Sequence, residues 1–197
     1  MRRRSLLKTM AVLPMAPPNL SGAETRAWLG PDYWANPLQD WRKSGDRFEC
    51  HVAGGDRNVF WLSKEIGQNA SNFKMTVRLG KLTPAGAGTR QGWVGFRIGM
   101  RGHFNDYRDT AIRGLGLEAG ITGDGRLFIG AAADGPRIAS LDGLTLTLER
   151  SGQTLRLSAG GQSLELNMGA DQAAGGVALV CHSGELPTGA PDRAEPQ

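Results

Sequence analysis

From residue 47 onward, apolar and polar side chains alternate at every second position, and the alternation recurs along the chain. Arg47–Cys50 and Asn58–Ser63 are the first two such segments. Phe73, Met75, Val77 and Leu79 lie on one face of a third, with Lys74, Thr76 and Arg78 on the other. In a fourth, Val94, Phe96, Ile98 and Met100 face one way and Trp93, Gly95, Arg97 and Gly99 the other. A weaker alternation covers Leu115–Ile121, and Arg126–Ile129 follows an Asp124-Gly125 turn. A period of two is the signature of strands with one buried face, and a helical period is almost absent after residue 30.

The clearest run comes late. Leu144, Leu146 and Leu148 alternate with Thr145, Thr147 and Glu149. Turns at Ser151-Gly152-Gln153 and Gly160-Gly161 then separate Leu155/Leu157 from Leu164–Met168, which predicts a three-stranded meander. Val177–Cys181 is apolar throughout, as a strand covered on both faces would be, and no strand pattern follows it to close a sheet edge. About ten short strands with turn signals every 8–12 residues predict an all-β fold, an antiparallel two-sheet sandwich or jelly roll. Each strand has one apolar face, so two sheets must cover each other. The 29 glycines are spread through the chain and fit many tight turns rather than a linker.

Two segments break the rhythm. Residues 101–114 carry much side-chain chemistry without alternation, as a binding loop on a rigid scaffold does. Residues 183–197, rich in Pro, Gly and charge, read as a disordered tail or linker stub. The expected organisation is therefore a leader at 1–23, a β-sandwich at 24–182 and the tail at 183–197.

The leader rests on Arg3-Arg4-Ser5-Leu6-Leu7-Lys8, which reads as a twin-arginine export signal with Arg3 and Arg4 as its pair. A modestly apolar stretch and the small residues Ser21-Gly22-Ala23 follow, as a cleavage site requires. The reading predicts a bacterial protein that folds before export and ends in the periplasm or outside the cell. It also changes the charge argument. Of the 23 basic residues, Arg2, Arg3, Arg4 and Lys8 lie in the leader, leaving 19 against 19 acids. A neutral remainder excludes the clustered positive charge that nucleic acid binding needs. No apolar run after Ala23 is long enough for a helical membrane span.

Catalytic signatures are missing from the pattern. His51, His103 and His182 stand in three separate segments with no metal-ligand spacing, so neither a metal site nor a cofactor is expected. There is no Gly-x-Ser-x-Gly elbow. Cys50 and Cys181 fall within strand patterns and read as two small buried thiols, although an exported chain reaches an oxidising compartment where they could join. No paired-carboxylate strand motif occurs; Asp106 and Asp109 flank Arg108 in a loop and read as a solvated turn. Gly54–Asn58 lacks the Gly-Lys-Ser/Thr ending of a phosphate loop and reads as a turn between strands. Asp124 and Asp142 sit in turns without calcium-ligand spacing. Trp34 and Trp41 are expected to pin the first strands to the core. Trp93, opposite the apolar row of its strand with Arg97 beside it, is the best candidate for an exposed aromatic platform. The predicted ligand-binding set is Trp93 and Arg97 with His103, Asp106, Tyr107 and Arg108 of the adjoining loop.

A run of landmarks carries a resemblance. Gly30-Pro-Asp-Tyr-Trp-Ala-Asn-Pro-Leu-Gln-Asp-Trp41, Gly45-Asp-Arg-Phe-Glu-Cys50 and Gly54-Gly-Asp-Arg-Asn-Val59 come first. Gly95-Phe-Arg-Ile-Gly99, Asp106-Tyr-Arg108, Gly116-Leu-Glu-Ala-Gly120 and Asp124-Gly-Arg-Leu-Phe-Ile-Gly130 follow. Over residues 1–182 the chain resembles the N-terminal, non-catalytic region of exported bacterial proteins of the alkaline phosphatase D family. The resemblance implies a concanavalin A-like sandwich placed ahead of a metallophosphatase domain. The Asp, His and Asn metal ligands of that domain have no counterpart here, so no catalytic residue is carried over. The expected function is a non-catalytic exported accessory or binding module for a saccharide or other polar cell-envelope ligand. The alternative is the N-terminal portion of an alkaline phosphatase D-like phosphoric ester hydrolase, with a phosphatase domain as partner. A third reading is a structural domain that shields or positions a partner, marked by a large apolar patch on one sheet.

Overall fold

The computed structural model describes residues 28–52, 54–82, 92–101, 116–132 and 134–182. The twin-arginine leader with Arg3 and Arg4, the loop residues His103, Asp106, Tyr107 and Arg108, and the tail 183–197 lie outside them. Twelve strands make up most of the described chain: β1 (Tyr33–Asn36), β2 (Trp41–Ser44), β3 (Arg47–Cys50), β4 (Arg57–Ile66), β5 (Asn72–Arg78) and β6 (Trp93–Met100), then β7 (Leu117–Thr122), β8 (Leu127–Ile129), β9 (Thr145–Ser151), β10 (Thr154–Ala159), β11 (Gln162–Asn167) and β12 (Gly175–His182). One helical turn, Ala170–Ala173, precedes β12.

The strands form a six-stranded sheet in the order β1-β4-β12-β6-β7-β8, a four-stranded sheet β11-β10-β9-β5 and a hairpin β2-β3. Every pairing is antiparallel, as the all-β reading requires. The meander sits where the leucines put it: Leu148 faces Leu157 on β10 and Met75 on β5. Both sheets feed one apolar cluster. Phe96, Ile98, Ala119, Ile121, Leu127 and Ile129 come from the six-stranded sheet, and Leu146, Leu148, Leu155 and Leu157 from the four-stranded one. Fully burying such a side chain contributes about 1.5–3 kcal/mol, so this shared layer is the main term holding the sheets' inner faces out of water.

The other half of the six-stranded sheet's inner face is covered differently. Hairpin β2-β3 packs Trp41, Phe48 and Cys50 against Ala35, Val59 and Cys181. Trp41 is buried there, as expected of an anchoring aromatic; Trp34 instead joins Phe60, Met100 and Ala178 on the outer face.

Two expectations need correction. Met100 leaves the row of Val94, Phe96 and Ile98. Two residues of β6, Ile98 and Gly99, oppose the single Val177 of β12, and the left-handed φ of 67° at Gly99 permits this bulge. The bulge turns Met100 to the face that carries Phe60. Nor does Cys181 stand at a sheet edge. β12 lies between β4 and β6, where Ala178 and Val180 are buried at 1% exposure each, which is why its sequence is apolar at successive positions.

Candidate functional site

Residues directly opposite in an antiparallel pair share a face, so register shows what gathers around Trp93 and Arg97. Trp93 stands opposite His182 on β12 and Thr122 on β7; Arg97 stands opposite Ala178 and Glu118. Between these two rows Gly95 faces Gly120. The glycine pair is a steric requirement. A Cβ on Gly120 would meet the Val94 carbonyl oxygen at 2.5 Å and Trp93 Cε3 at 3.1 Å. The Trp93 ring therefore lies over bare backbone. It meets Phe128 edge-on, with centroids 5.2 Å apart, and stacks on the His182 imidazole at 6.2 Å and 20°. These contacts leave Trp93 half-buried.

Arg97 is buried, with 1% of its surface exposed, which corrects the expectation of an exposed partner for Trp93. It lies in a strand flanked on both sides, so its guanidinium is held between carboxylates rather than offered to solvent. Nη2 donates to Asp56 Oδ1 at 3.3 Å and to Glu118 Oε1 at 2.5 Å, and Nε donates to Glu118 Oε1 at 3.2 Å. Nη1 is buried and finds no hydrogen-bond partner among the described residues. The two carboxylates remain about a third exposed, at 31% and 34%. One rigid cation thus fixes two half-open acceptors.

Asp56 completes the group. It has a left-handed φ of 54°, the only described non-glycine residue with positive φ, at the turn that opens β4. Its backbone N–H donates to His182 Nδ1 at 3.1 Å, so the neutral imidazole carries its proton on Nε2. A non-glycine residue held in that region costs on the order of 1–3 kcal/mol and persists where its surroundings enforce it. Here the enforcing contacts are Arg97 and His182.

The arrangement unites Trp93 and Arg97 with three residues that sequence reasoning did not select: Asp56, Glu118 and His182. Glu118 had a readable signal, as an acid inside an otherwise apolar strand segment. Asp56 and His182, 126 positions apart, had none, because only the pairing of β12 with β4 and β6 joins them. Asp124 serves its own turn, accepting from Thr122 Oγ1, and Asp142 accepts from the Lys81 N–H of the segment that follows β5.

A second polar group lies on the opposite face of the same sheet. Arg57 Nε donates to Asp40 Oδ2 at 3.0 Å, both side chains being 10% exposed or less, and Nη1 caps the Gly55 carbonyl at 2.9 Å. Cys50 on β3 and Cys181 on β12 meet beside this ion pair, thiol to thiol. A side-chain hydrogen bond with Cys181 lowers the Cys50 pKa to about 7 against the opposing effect of burial, and in its thiol form Cys50 Sγ–H also donates to the Val52 carbonyl oxygen at 3.4 Å. The hydrogen bond between the two cysteines, together with burial, pushes the Cys181 thiol far above the ordinary range.

Among the described residues, no three His, Cys, Asp or Glu side chains converge as metal ligands, and no helix is long and apolar enough to cross a membrane. No family model, curated protein or solved structure matches the chain.

Proposed function

We propose that the chain is an exported, non-catalytic binding module built on a concanavalin A-like or jelly-roll β-sandwich, and that it takes a saccharide or similar polyhydroxylated envelope ligand at Trp93. The observation that carries this reading is the half-buried Trp93 ring stacked on His182, which accepts from the Asp56 N–H, together with the part-exposed carboxylates of Asp56 and Glu118, both held by Arg97. An aromatic face takes the C–H face of a sugar ring, and carboxylates accept its hydroxyl hydrogens. Acceptors already fixed by a buried cation lose little freedom on binding, which favours affinity. The proposal retains His103, Asp106, Tyr107 and Arg108, which follow β6 in sequence and lie outside the described residues. In this reading Arg97 is a positioning residue that does not touch the ligand.

Calorimetry of the purified chain against a panel of envelope glycans tests the proposal. Binding that Trp93→Ala removes and Trp93→Phe retains in part supports it. No heat with any glycan, or binding unaffected by Trp93→Ala, rejects it.

The resemblance read from the sequence landmarks to alkaline phosphatase D-like proteins favours a second reading, in which the module is the front part of a metallophosphatase that would be delivered to the periplasm or beyond. Sequencing the DNA downstream distinguishes the two. A continuation encoding Asp, His and Asn metal motifs selects the phosphatase, and an intergenic region selects the separate module.

A further inference from the structure

We propose that Cys50 and Cys181 are a redox pair that closes an intrachain disulfide, fastening hairpin β2-β3 to the central strand β12. The inference is independent of the ligand reading above. It starts from placement. Cys50 lies opposite Trp41 in the hairpin, and Cys181 lies opposite Arg57 and Val94 within the six-stranded sheet. Both side chains pack against the buried cluster of Leu29, Ala35, Trp41 and Val59, and their thiols are in hydrogen-bond contact. Closing the bond requires the sulfurs to approach to about 2.05 Å, a movement within the reach of side-chain rotation from a thiol–thiol contact. Both residues are part-exposed, so a small oxidant can reach the pair.

The contact also divides the labour. Cys50, whose pKa the hydrogen bond with Cys181 brings down to about 7, is the thiolate; Cys181 holds its proton. Asp40, which pairs with Arg57, raises the Cys50 pKa by more than Arg57 lowers it, and both effects are smaller than that of the Cys181 hydrogen bond. At neutral pH about half of Cys50 is thiolate, against a few per cent of an ordinary thiol. After allowing for the weaker nucleophilicity of a more acidic thiol, its exchange rate is roughly threefold higher.

The oxidant is a disulfide, such as oxidised glutathione or the disulfide of an oxidoreductase. The Cys50 thiolate attacks one sulfur of that donor, forming a mixed disulfide and releasing one donor thiolate. That thiolate, or solvent, takes the Cys181 proton. The Cys181 sulfur then attacks Cys50 Sγ and expels the second donor thiolate. Two protein thiols are oxidised by two electrons, and one donor disulfide is reduced to two thiols.

The test uses the full chain, reduced and then equilibrated in a buffer of reduced and oxidised glutathione. The expected result is loss of both titratable thiols, loss of two hydrogens from the intact mass, and a cross-linked peptide containing Cys50 and Cys181. The chain stays monomeric on a non-reducing gel and regains both thiols with dithiothreitol. Cys181→Ser is expected to stop at one glutathionyl group on Cys50. Retention of two free thiols, stable glutathionylation of both cysteines in the wild-type chain, or a disulfide-linked dimer would each overturn the proposal. The wild-type readings stand alone if the serine variant fails to fold by circular dichroism.

Discussion

Replacing Arg97 with methionine removes the cation between Asp56 and Glu118 while keeping an unbranched stem of similar length, so little cavity opens. Deleting one partner of a fully buried ion pair costs about 3–5 kcal/mol. Here the surviving carboxylates are 31% and 34% exposed, and water takes over part of what Arg97 supplied. The expected loss is therefore smaller, about 2–3 kcal/mol, which for a domain of this size lowers Tm by roughly 5–10 °C. Arg97→Lys keeps a charge but not the fork that reaches Glu118 through both Nε and Nη2, and is expected to lose about 1 kcal/mol. Urea unfolding, read as a fall in midpoint at constant slope, measures both. A double-mutant cycle with Glu118→Gln isolates the contact and is expected to give a coupling of about 1 kcal/mol or more. An Arg97→Met protein as stable as wild type would show that the cost of desolvating the guanidinium cancels its attraction to the acids. A strictly additive cycle would show that Glu118 does not depend on it. The additive cycle would refute the claim that Arg97 fixes the carboxylates.

Three further outcomes are expected. Asp40→Asn leaves the buried Arg57 guanidinium without its counter-charge and should cost about 3 kcal/mol, seen as a lower urea midpoint. Gly120→Ala places a methyl group 2.5 Å from the Val94 carbonyl and against the Trp93 ring; a loss of about 1–3 kcal/mol and a changed near-ultraviolet circular dichroism signal should follow. In the reduced chain, Cys50 becomes a thiolate as pH rises through about 7, so its iodoacetamide alkylation should reach half its maximal rate near pH 7, whereas Cys181 stays protonated and unmodified. Mass mapping of the alkylated peptides checks both cysteines.

The strands that alternate cleanly were legible because each has one wet face. β5, β9 and β10 follow their leucine, methionine and valine rows almost residue for residue. β1 and β2 were not, since Tyr33–Asn36 and Trp41–Ser44 are four-residue segments whose order comes from packing on Val59 and Phe48. Met100 was misassigned because a bulge at Gly99 shifts the period, and a lone glycine does not announce which face follows it. For the site, alternation correctly put Trp93 and Arg97 on one face. It did not reveal that β12 and β7 cover Arg97, because burial of a polar residue depends on neighbours distant in sequence. The cysteines were legible as strand residues, but their contact joins positions 50 and 181 and needs the three-dimensional pairing.

The position of β12 has a consequence for how the chain is made. The sixth strand of the larger sheet to leave the ribosome is the one that joins β4 to β6, which otherwise do not touch as neighbours. Until residue 182 has emerged, a nascent chain carries two open edges in the middle of its future sheet, flanked by apolar residues such as Val59 and Phe96. Open edges of that kind recruit strands from other chains. Synthesis and sheet closure are therefore coupled. Any nascent chain stalled before β12 is a template for aggregation rather than a smaller stable domain, and the pairings that β12 supplies are long-range contacts of the kind that slow folding.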